Sequence, residues 1–416
     1  MINKSTFPTY SWIKISLINF CVVALAGVTL RYKINFDLRA VNQKNLLHAH
    51  SNFAFVGWVT IILMVLMIEH LRKYQVATNY KKYHWLLIIN CFTAYGMFVS
   101  FIIQGYDLYS ILFLSAGILL SYFFIVWMWK DLNKAEEKSY STMWYKAGLV
   151  IWAFSSLGAI FLAYLMVNNI LIQDLYFASV YFFLHFQYNG WFLFVCFGLL
   201  FSFLFQKGFL PSVAISKKLF LIMAVTVVPA FFLSILWLKL PPVIHWIANI
   251  TGILQLVVLL FFVRIFSLFK KSGPHTLSYN TRILWVLASI AFILKIVLQT
   301  LSIFPYLSSY AFGFRPVVIG YLHLSFLGII SFFILGYINQ LFHLQQRQFS
   351  VVGVFMFIAG VLIQELILMF QGLEAMNFSP LPYANILLFY CAILIALGLI
   401  LIVIRMRKPK EVLAVS

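Results

Sequence analysis

Five of the histidines lie inside strongly apolar stretches of the chain, where a polar side chain is unfavourable. They are His48, His50, His185, His245 and His323. An ionisable side chain at membrane depth usually faces the interior of a helix bundle and marks a functional site. Imidazole is a common ligand of haem iron and a good ligand of copper. These histidines are therefore candidate cofactor ligands; the alternative is a hydrogen bond to a neighbouring helix, which membrane proteins also use.

Three of these histidines lie in related sequence segments. The segments are LLHAHSNFAFVGW around His50, YFFLHFQYNGWFLF around His185 and GYLHLSFLGIISFF around His323. The intervals are 135 and 138 residues, which indicates an internal threefold repeat. His48 precedes His50 by two positions, or about 200° around a regular helix. The two therefore cannot both face one point from a regular helix.

The amino-acid composition indicates whether the chain is surrounded by water or by lipid. The chain of 416 residues is 64% hydrophobic and 9% charged, with a mean hydropathy of +0.99. A soluble domain is about 25% charged and about 45–50% apolar, so most of this chain must face lipid. This excludes a soluble enzyme, a nucleic-acid-binding domain and a disordered scaffold. The four cysteines form no CxxC or metal-ligand spacing, which argues against a disulfide framework or a zinc site.

The apolar runs are long enough for membrane helices, each of which needs roughly 20 residues to cross the bilayer. The sequence predicts an all-α polytopic membrane protein, a single transmembrane domain with twelve spans. The predicted spans are 12–31, 46–69, 84–104, 108–129, 144–167, 176–205, 217–237, 242–268, 282–303, 316–342, 350–372 and 383–406.

The distribution of basic residues predicts the orientation of these spans. With both termini in the cytoplasm, the inner segments hold 19 Lys and Arg residues and the outer loops hold six. This asymmetry follows the positive-inside rule, and it explains most of the net charge of +19 without an anionic partner. The expected location is a bacterial inner membrane. The repeat interval equals four spans, which divides the chain into arcs of about 1–135, 136–275 and 276–416.

Twelve spans in three arcs, with histidines on spans 2, 6 and 10, resemble the haem–copper oxidase subunit I fold. The NnrS membrane proteins, which bind haem and copper and are linked to nitric oxide stress, are similar in layout. The resemblance implies a b-type haem with His323 and either His50 or His48 as axial ligands. It also implies a second metal, copper, at His185, with His245 as an extra ligand.

The chain departs from the oxidase pattern at the copper centre. Tyr321 occupies the position two residues before His323, where the oxidases have a second histidine, and span 7 contains no histidine. Tyr188 follows His185 by three residues, whereas the oxidase tyrosine follows by four. The resemblance therefore argues against a proton-pumping oxygen reductase and predicts that any bound copper is held weakly.

Five further charged residues are candidates for a functional role. Lys295 in span 9 and Glu365 in span 11 have equal predicted depth, which predicts an ion pair within the membrane; a proton or ion route is the alternative. Arg39 and Arg315 lie in outer segments near the histidines, as does Arg31. Arginine suits carboxylates, so these residues are candidates to hold haem propionates, with ordinary surface charge as the alternative.

The leading hypothesis is an integral membrane haem protein with a role in nitric oxide or respiratory metabolism. Any enzymatic activity would be that of an oxidoreductase without a complete copper centre, and the expected partners are the lipid bilayer and a small gaseous or redox ligand. One alternative is a polytopic transporter of ions or small molecules, because Pro229, Pro241 and Pro242 suit helices that break around a substrate. A membrane subunit or assembly factor is the third interpretation.

Overall fold

The computed structural model describes residues 7–76, 78–135, 140–209, 213–272, 277–343, 349–377 and 382–406. This part of the chain is helical and contains no β-strand. Eleven helices are long and apolar enough to cross a membrane, and a bent helix pair supplies a twelfth span. The protein is thus an all-α polytopic membrane protein, as the sequence predicts.

The spans follow the predicted order, and their numbers are kept here. Their bounds are Thr9–Asn35, Gln43–Lys73, Tyr80–Gln104, Leu108–Leu132, Ser141–Val167, Gln173–Gln206, the pair Ile215–Thr226 and Pro229–Ile235, Pro242–Leu268, Tyr279–Leu301, Arg315–Phe342, Val351–Glu374 and Ala384–Arg405. A short helix, Pro305–Gly313, precedes span 10. We call the face predicted to be cytoplasmic the inner face.

Spans 2, 6 and 10 share an unusual local structure. Each changes from α-helix to π-helix and back, over Ala54–Thr60, Phe186–Phe192 and Leu324–Ser331. These π-helical segments begin four residues after His50 and directly after His185 and His323. Such segments are rare and occur frequently at functional sites. The three sequence segments that resemble one another therefore also share a backbone irregularity beside the histidine.

One phenylalanine from each π-helical segment joins the three spans at a common point. The ring centroids of Phe55 and Phe326 are 4.5 Å apart, those of Phe55 and Phe192 are 5.8 Å apart, and those of Phe192 and Phe326 are 5.9 Å apart. Aromatic pairs at these separations attract one another beyond simple burial. We call these residues the phenylalanine triad. Spans 2, 6 and 10 therefore form the centre of the bundle.

Burial along these central spans changes at the triad. Between the triad and the inner face nearly all side chains are buried, as in residues 57–68 and 193–199. On the outer side, residues 316–323 are all only half-buried although span 10 is central. A central helix that is incompletely covered borders a cleft. The outer half of span 10 is therefore less covered than the inner halves of spans 2 and 6, and we call this half-buried region around His50 and His323 the cleft.

Span 7 is not the continuous helix that the sequence predicts. Its two parts, Ile215–Thr226 and Pro229–Ile235, meet at an angle of 52°. Proline cannot donate a backbone hydrogen bond, and its ring displaces the preceding turn. Pro229 begins the second part, which is a 3-10 helix. At the break, the Val227 carbonyl oxygen takes a side chain of another span as its hydrogen-bond donor.

Buried polar contacts fix the inner ends of the outer-ring helices. Asp131 on span 4 is fully buried and accepts hydrogen bonds from Thr78, Lys82, Tyr83 and Lys134 at 2.6–2.7 Å. A buried carboxylate is tolerated only when it is paired and hydrogen-bonded in this way. These contacts join spans 3 and 4 and the loop between spans 2 and 3.

Spans 11 and 12 pack through glycines that allow their backbones to meet. A Cβ atom at Gly398 would lie 2.6 Å from the backbone nitrogen of Phe357 and 2.8 Å from the Gly353 carbonyl oxygen. Small residues permit such close contact between transmembrane helices. Span 12 also packs against span 1, so the last span closes the ring of helices.

Candidate cofactor site

His50 lies on span 2 with one ring nitrogen held and the other free. Its Nδ1–H donates to the Val23 carbonyl oxygen on span 1 at 3.0 Å. Because a carbonyl can only accept, this bond fixes the tautomer and leaves the lone pair on Nε2. No hydrogen-bond partner of Nε2 occurs among the described residues. This is the geometry of a histidine prepared to bind a metal, since ligating histidines anchor their other nitrogen in the same way.

His323 on span 10 has a comparable arrangement. Its Nδ1 contacts the side-chain amide of Gln364 on span 11 at 3.2 Å, and its Nε2 has no hydrogen-bond partner in the described part of the chain. As placed, the Gln364 amide nitrogen donates to Nδ1. If the amide group is rotated by 180°, its oxygen faces Nδ1 and accepts a hydrogen bond from Nδ1–H. In that tautomer Nε2 is unprotonated and carries the free lone pair. Gln364 can therefore anchor His323 as Val23 anchors His50.

The two histidines lie in the same region of the bundle as two arginines. Arg31 lies close enough to His50, His323 and Arg315 for their charges to interact. The salt bridges among the described residues are Arg39–Asp37, Arg72–Glu69, Lys82–Asp131 and Lys134–Asp131. Neither Arg31 nor Arg315 takes part in one. Two cations without a counter-ion at the outer end of the cleft favour an anionic ligand.

His48 and Arg39 do not belong to this group. The His48 ring packs edge-on against Tyr106, with ring centroids 4.7 Å apart, and so lies on a different side of span 2 from His50. Arg39 is exposed and pairs with Asp37 at 2.8 Å. Arg31, which the sequence analysis also named, is half-buried.

His185 is fully engaged in hydrogen bonds. Its Nε2–H donates to the Val227 carbonyl oxygen at 2.8 Å, at the break in span 7. Its Nδ1 accepts from Asn189 Nδ2 at 3.1 Å and from Ser234 Oγ at 3.3 Å. Both ring nitrogens are used, so this conformation has no lone pair for copper. The side chain instead satisfies a carbonyl that the break in span 7 exposes.

His245 does not join His185 in a metal site. It is half-buried near the outer end of span 8. No group of three or more His, Cys, Asp or Glu side chains in the described residues is placed to hold a metal ion. The donors present therefore do not fit the copper centre that the resemblance implies.

Lys295 and Glu365 do not form the predicted ion pair. Lys295 is buried beside His185, whereas Glu365 Oε2 would lie 3.9 Å from a Cβ atom at Gly320. Span 10 separates them, because the Tyr321 hydroxyl on its other side donates to Gln299 on span 9 at 3.3 Å. Equal depth is necessary for an ion pair, but the lateral order of the helices decides whether it forms.

The sequence analysis missed several residues that the structure places around these histidines. Val227, Asn189 and Ser234 hold His185, and the phenylalanine triad forms the floor of the cleft. One signal was available, since Asn189 follows His185 by four residues and so lies on the same helix face. No sequence pattern indicates the carbonyl partner of His185.

No known protein-family model matches the chain, and no curated protein is significantly similar to it. The class of protein therefore rests on the architecture, which is that of a polytopic helical membrane protein with a cleft between its central spans.

Proposed function

We propose that this protein is an integral membrane haem protein in which His50 and His323 are the axial ligands. The observation that carries this proposal is a pair of imidazoles within range of each other's charges, each with Nδ1 held by a neighbouring span, beside two arginines that form no salt bridge with a described residue. Two imidazoles and two cations match the two axial positions and two propionates of a b-type haem. The resemblance to haem–copper oxidase subunit I supports the same two spans.

Different groups of the protein would bind different parts of the haem. Val23 and Gln364 orient the imidazoles, and Arg31 and Arg315 hold carboxylates at the outer end of the cleft. The phenylalanine triad closes the cleft towards the inner face and excludes water from that side. A bound haem would supply one-electron redox chemistry, whose potential depends on the axial ligands and their hydrogen bonds.

A role in respiratory or nitric oxide metabolism follows from the resemblance and is part of the proposal. Because both ring nitrogens of His185 are engaged in hydrogen bonds, this residue is not available in this conformation to hold a second metal beside the haem. Electron transfer or sensing of a small ligand therefore suits these residues better than oxygen reduction. The test is the reduced spectrum with and without nitric oxide: a shifted Soret band supports ligand sensing, and an unchanged band supports electron transfer.

The haem proposal is tested by the visible spectrum of protein purified from cells supplied with a haem precursor. We expect a Soret band and about one haem per chain by pyridine haemochrome. His323→Ala and His50→Ala should each lose haem or leave it five-coordinate. Glycine at either position, with imidazole added, should restore the spectrum, because the free ligand can occupy the vacated space.

His48→Ala is the matched control, because His48 lies two residues from His50 on the same helix but faces Tyr106. It should keep its haem. A stable wild-type protein without a Soret band would refute the proposal. Equal loss of haem from the His48 and His50 variants would refute the assignment of ligands.

The bend in span 7 favours a second candidate, an ion or small-molecule transporter. Transporters form their sites from discontinuous helices, and span 7 breaks at Pro229, two residues after the Val227 carbonyl that His185 binds. A colourless protein whose thermal stability rises with a specific small anion would support this function instead.

A further inference from the structure

An apolar crevice lies away from the histidine cleft, at the boundary between spans 8 and 9. Its volume is about 500 Å³, within the range of ligand pockets in proteins. Its walls come from spans 6, 8, 9 and 10. Aromatic rings contribute much of the surface, from Phe197, Phe262, Trp285, Phe292 and Phe333. The crevice is partly open, and Val286 on its rim is 38% exposed.

The length of the crevice matches one leaflet of a bilayer. Along span 9 it extends from Arg282 to Phe292, and along span 6 from Leu193 to Leu204. Ten or eleven residues of α-helix rise about 15–16 Å, which is half of the roughly 30 Å hydrocarbon thickness. The crevice therefore runs from the inner face to the middle of the membrane.

A basic residue lies at the inner end of the crevice. Arg282 lies in the first turn of span 9 and lines the crevice, whereas the remaining walls are apolar apart from Cys196 and Ser289. The Ser289 hydroxyl donates its hydrogen to the Trp285 carbonyl oxygen of the same helix, so its donor already has a hydrogen-bond partner within span 9. A ligand with an anionic group at one end and a hydrocarbon chain of one leaflet's length complements this arrangement.

We propose that this crevice is a specific binding site for an anionic phospholipid of the inner leaflet. One acyl chain lies between spans 8 and 9 and reaches towards Ile329, and the phosphate contacts Arg282. The site is independent of the proposed haem, because it lies on the other side of the phenylalanine triad and shares none of the residues of the histidine cleft.

The test compares dioleoylphosphatidylglycerol with dioleoylphosphatidylcholine, each added to delipidated protein in detergent. Native mass spectrometry should detect one tightly held phosphatidylglycerol per chain. Arg282→Gln should weaken phosphatidylglycerol binding about fivefold, the effect of one basic residue on an anionic lipid, and leave phosphatidylcholine unchanged. Ser289→Phe places a bulky side chain in the crevice without removing an interhelical contact. This variant should no longer bind the tightly held phosphatidylglycerol.

Arg264→Gln is the matched control, because Arg264 is an exposed arginine on span 8 that does not line the crevice. It should bind phosphatidylglycerol like the wild type. Equal affinity of the wild type for the two lipids, or equal losses in the two arginine variants, would overturn the proposal. A contrary result is a neutral prenyl quinone that copurifies with the wild type and is lost from the Ser289→Phe variant. That result would overturn the proposal, because the crevice would then bind a quinone and not a phospholipid.

Discussion

Replacement of His185 by leucine distinguishes a structural histidine from a metal ligand. Leucine is similar in size but removes the donor to the Val227 carbonyl oxygen and the acceptor for Asn189 and Ser234. Hydrogen bonds between transmembrane helices contribute about 0.6 kcal/mol on average and up to about 1.7. An unsatisfied buried group costs about 1–3 kcal/mol. We therefore expect the free energy of unfolding to fall by about 2–4 kcal/mol.

The cysteines of the chain provide the assay. Cys21, Cys196 and Cys391 are free and buried, and Cys91 is free and half-buried, so a thiol-reactive fluorophore reports unfolding on heating. For a chain of this size, the expected loss corresponds to a decrease in Tm of about 2–5 °C. Haem content should not change, because His185 is not a proposed ligand.

His48→Leu is the control for the loss of a buried histidine. The Nε2 atom of His48 is buried without a hydrogen-bond partner, so its removal relieves a desolvation penalty and should leave the Tm unchanged or raised. A His185→Leu variant with normal Tm would refute the structural role. One copper per wild-type chain after chelator treatment, absent from this variant, would show that His185 is a metal ligand.

Three further outcomes follow from the structure. Arg31→Gln should weaken haem retention or shift the haem potential, measured by redox titration, whereas Arg39→Gln should not, because Arg39 is exposed and already paired. Asp131→Ala should lower the free energy of unfolding by about 3 kcal/mol or more, because it leaves buried donors without their acceptor; an unchanged Tm would show that the contacts are dispensable. Gly398→Leu should prevent close packing of spans 11 and 12 and lower the Tm, while Gly117→Leu, where no atom lies within 4 Å of the added Cβ, should not.

The sequence by itself determined the features that depend on local composition. Apolar runs of sufficient length fix helices in lipid, because backbone groups must bond within each helix when water is absent. The order of the spans is therefore as predicted, with the single exception of the break before Pro229. The shared depth of the histidines on spans 2, 6 and 10 also follows from their positions along the chain.

Only the tertiary structure decided which side chains meet. Depth along a span is a one-dimensional property, whereas contact also requires two helices to be neighbours and their side chains to face each other. His50 and His323 lie within range of each other's charges, whereas Lys295 and Glu365 are separated by span 10. The Val227 carbonyl oxygen, which accepts a hydrogen bond from His185, lies at a break in another helix. The hydropathy of the sequence does not indicate this partner. Hydropathy therefore gave the depth of the candidate site, and the lateral packing of the helices selected its members.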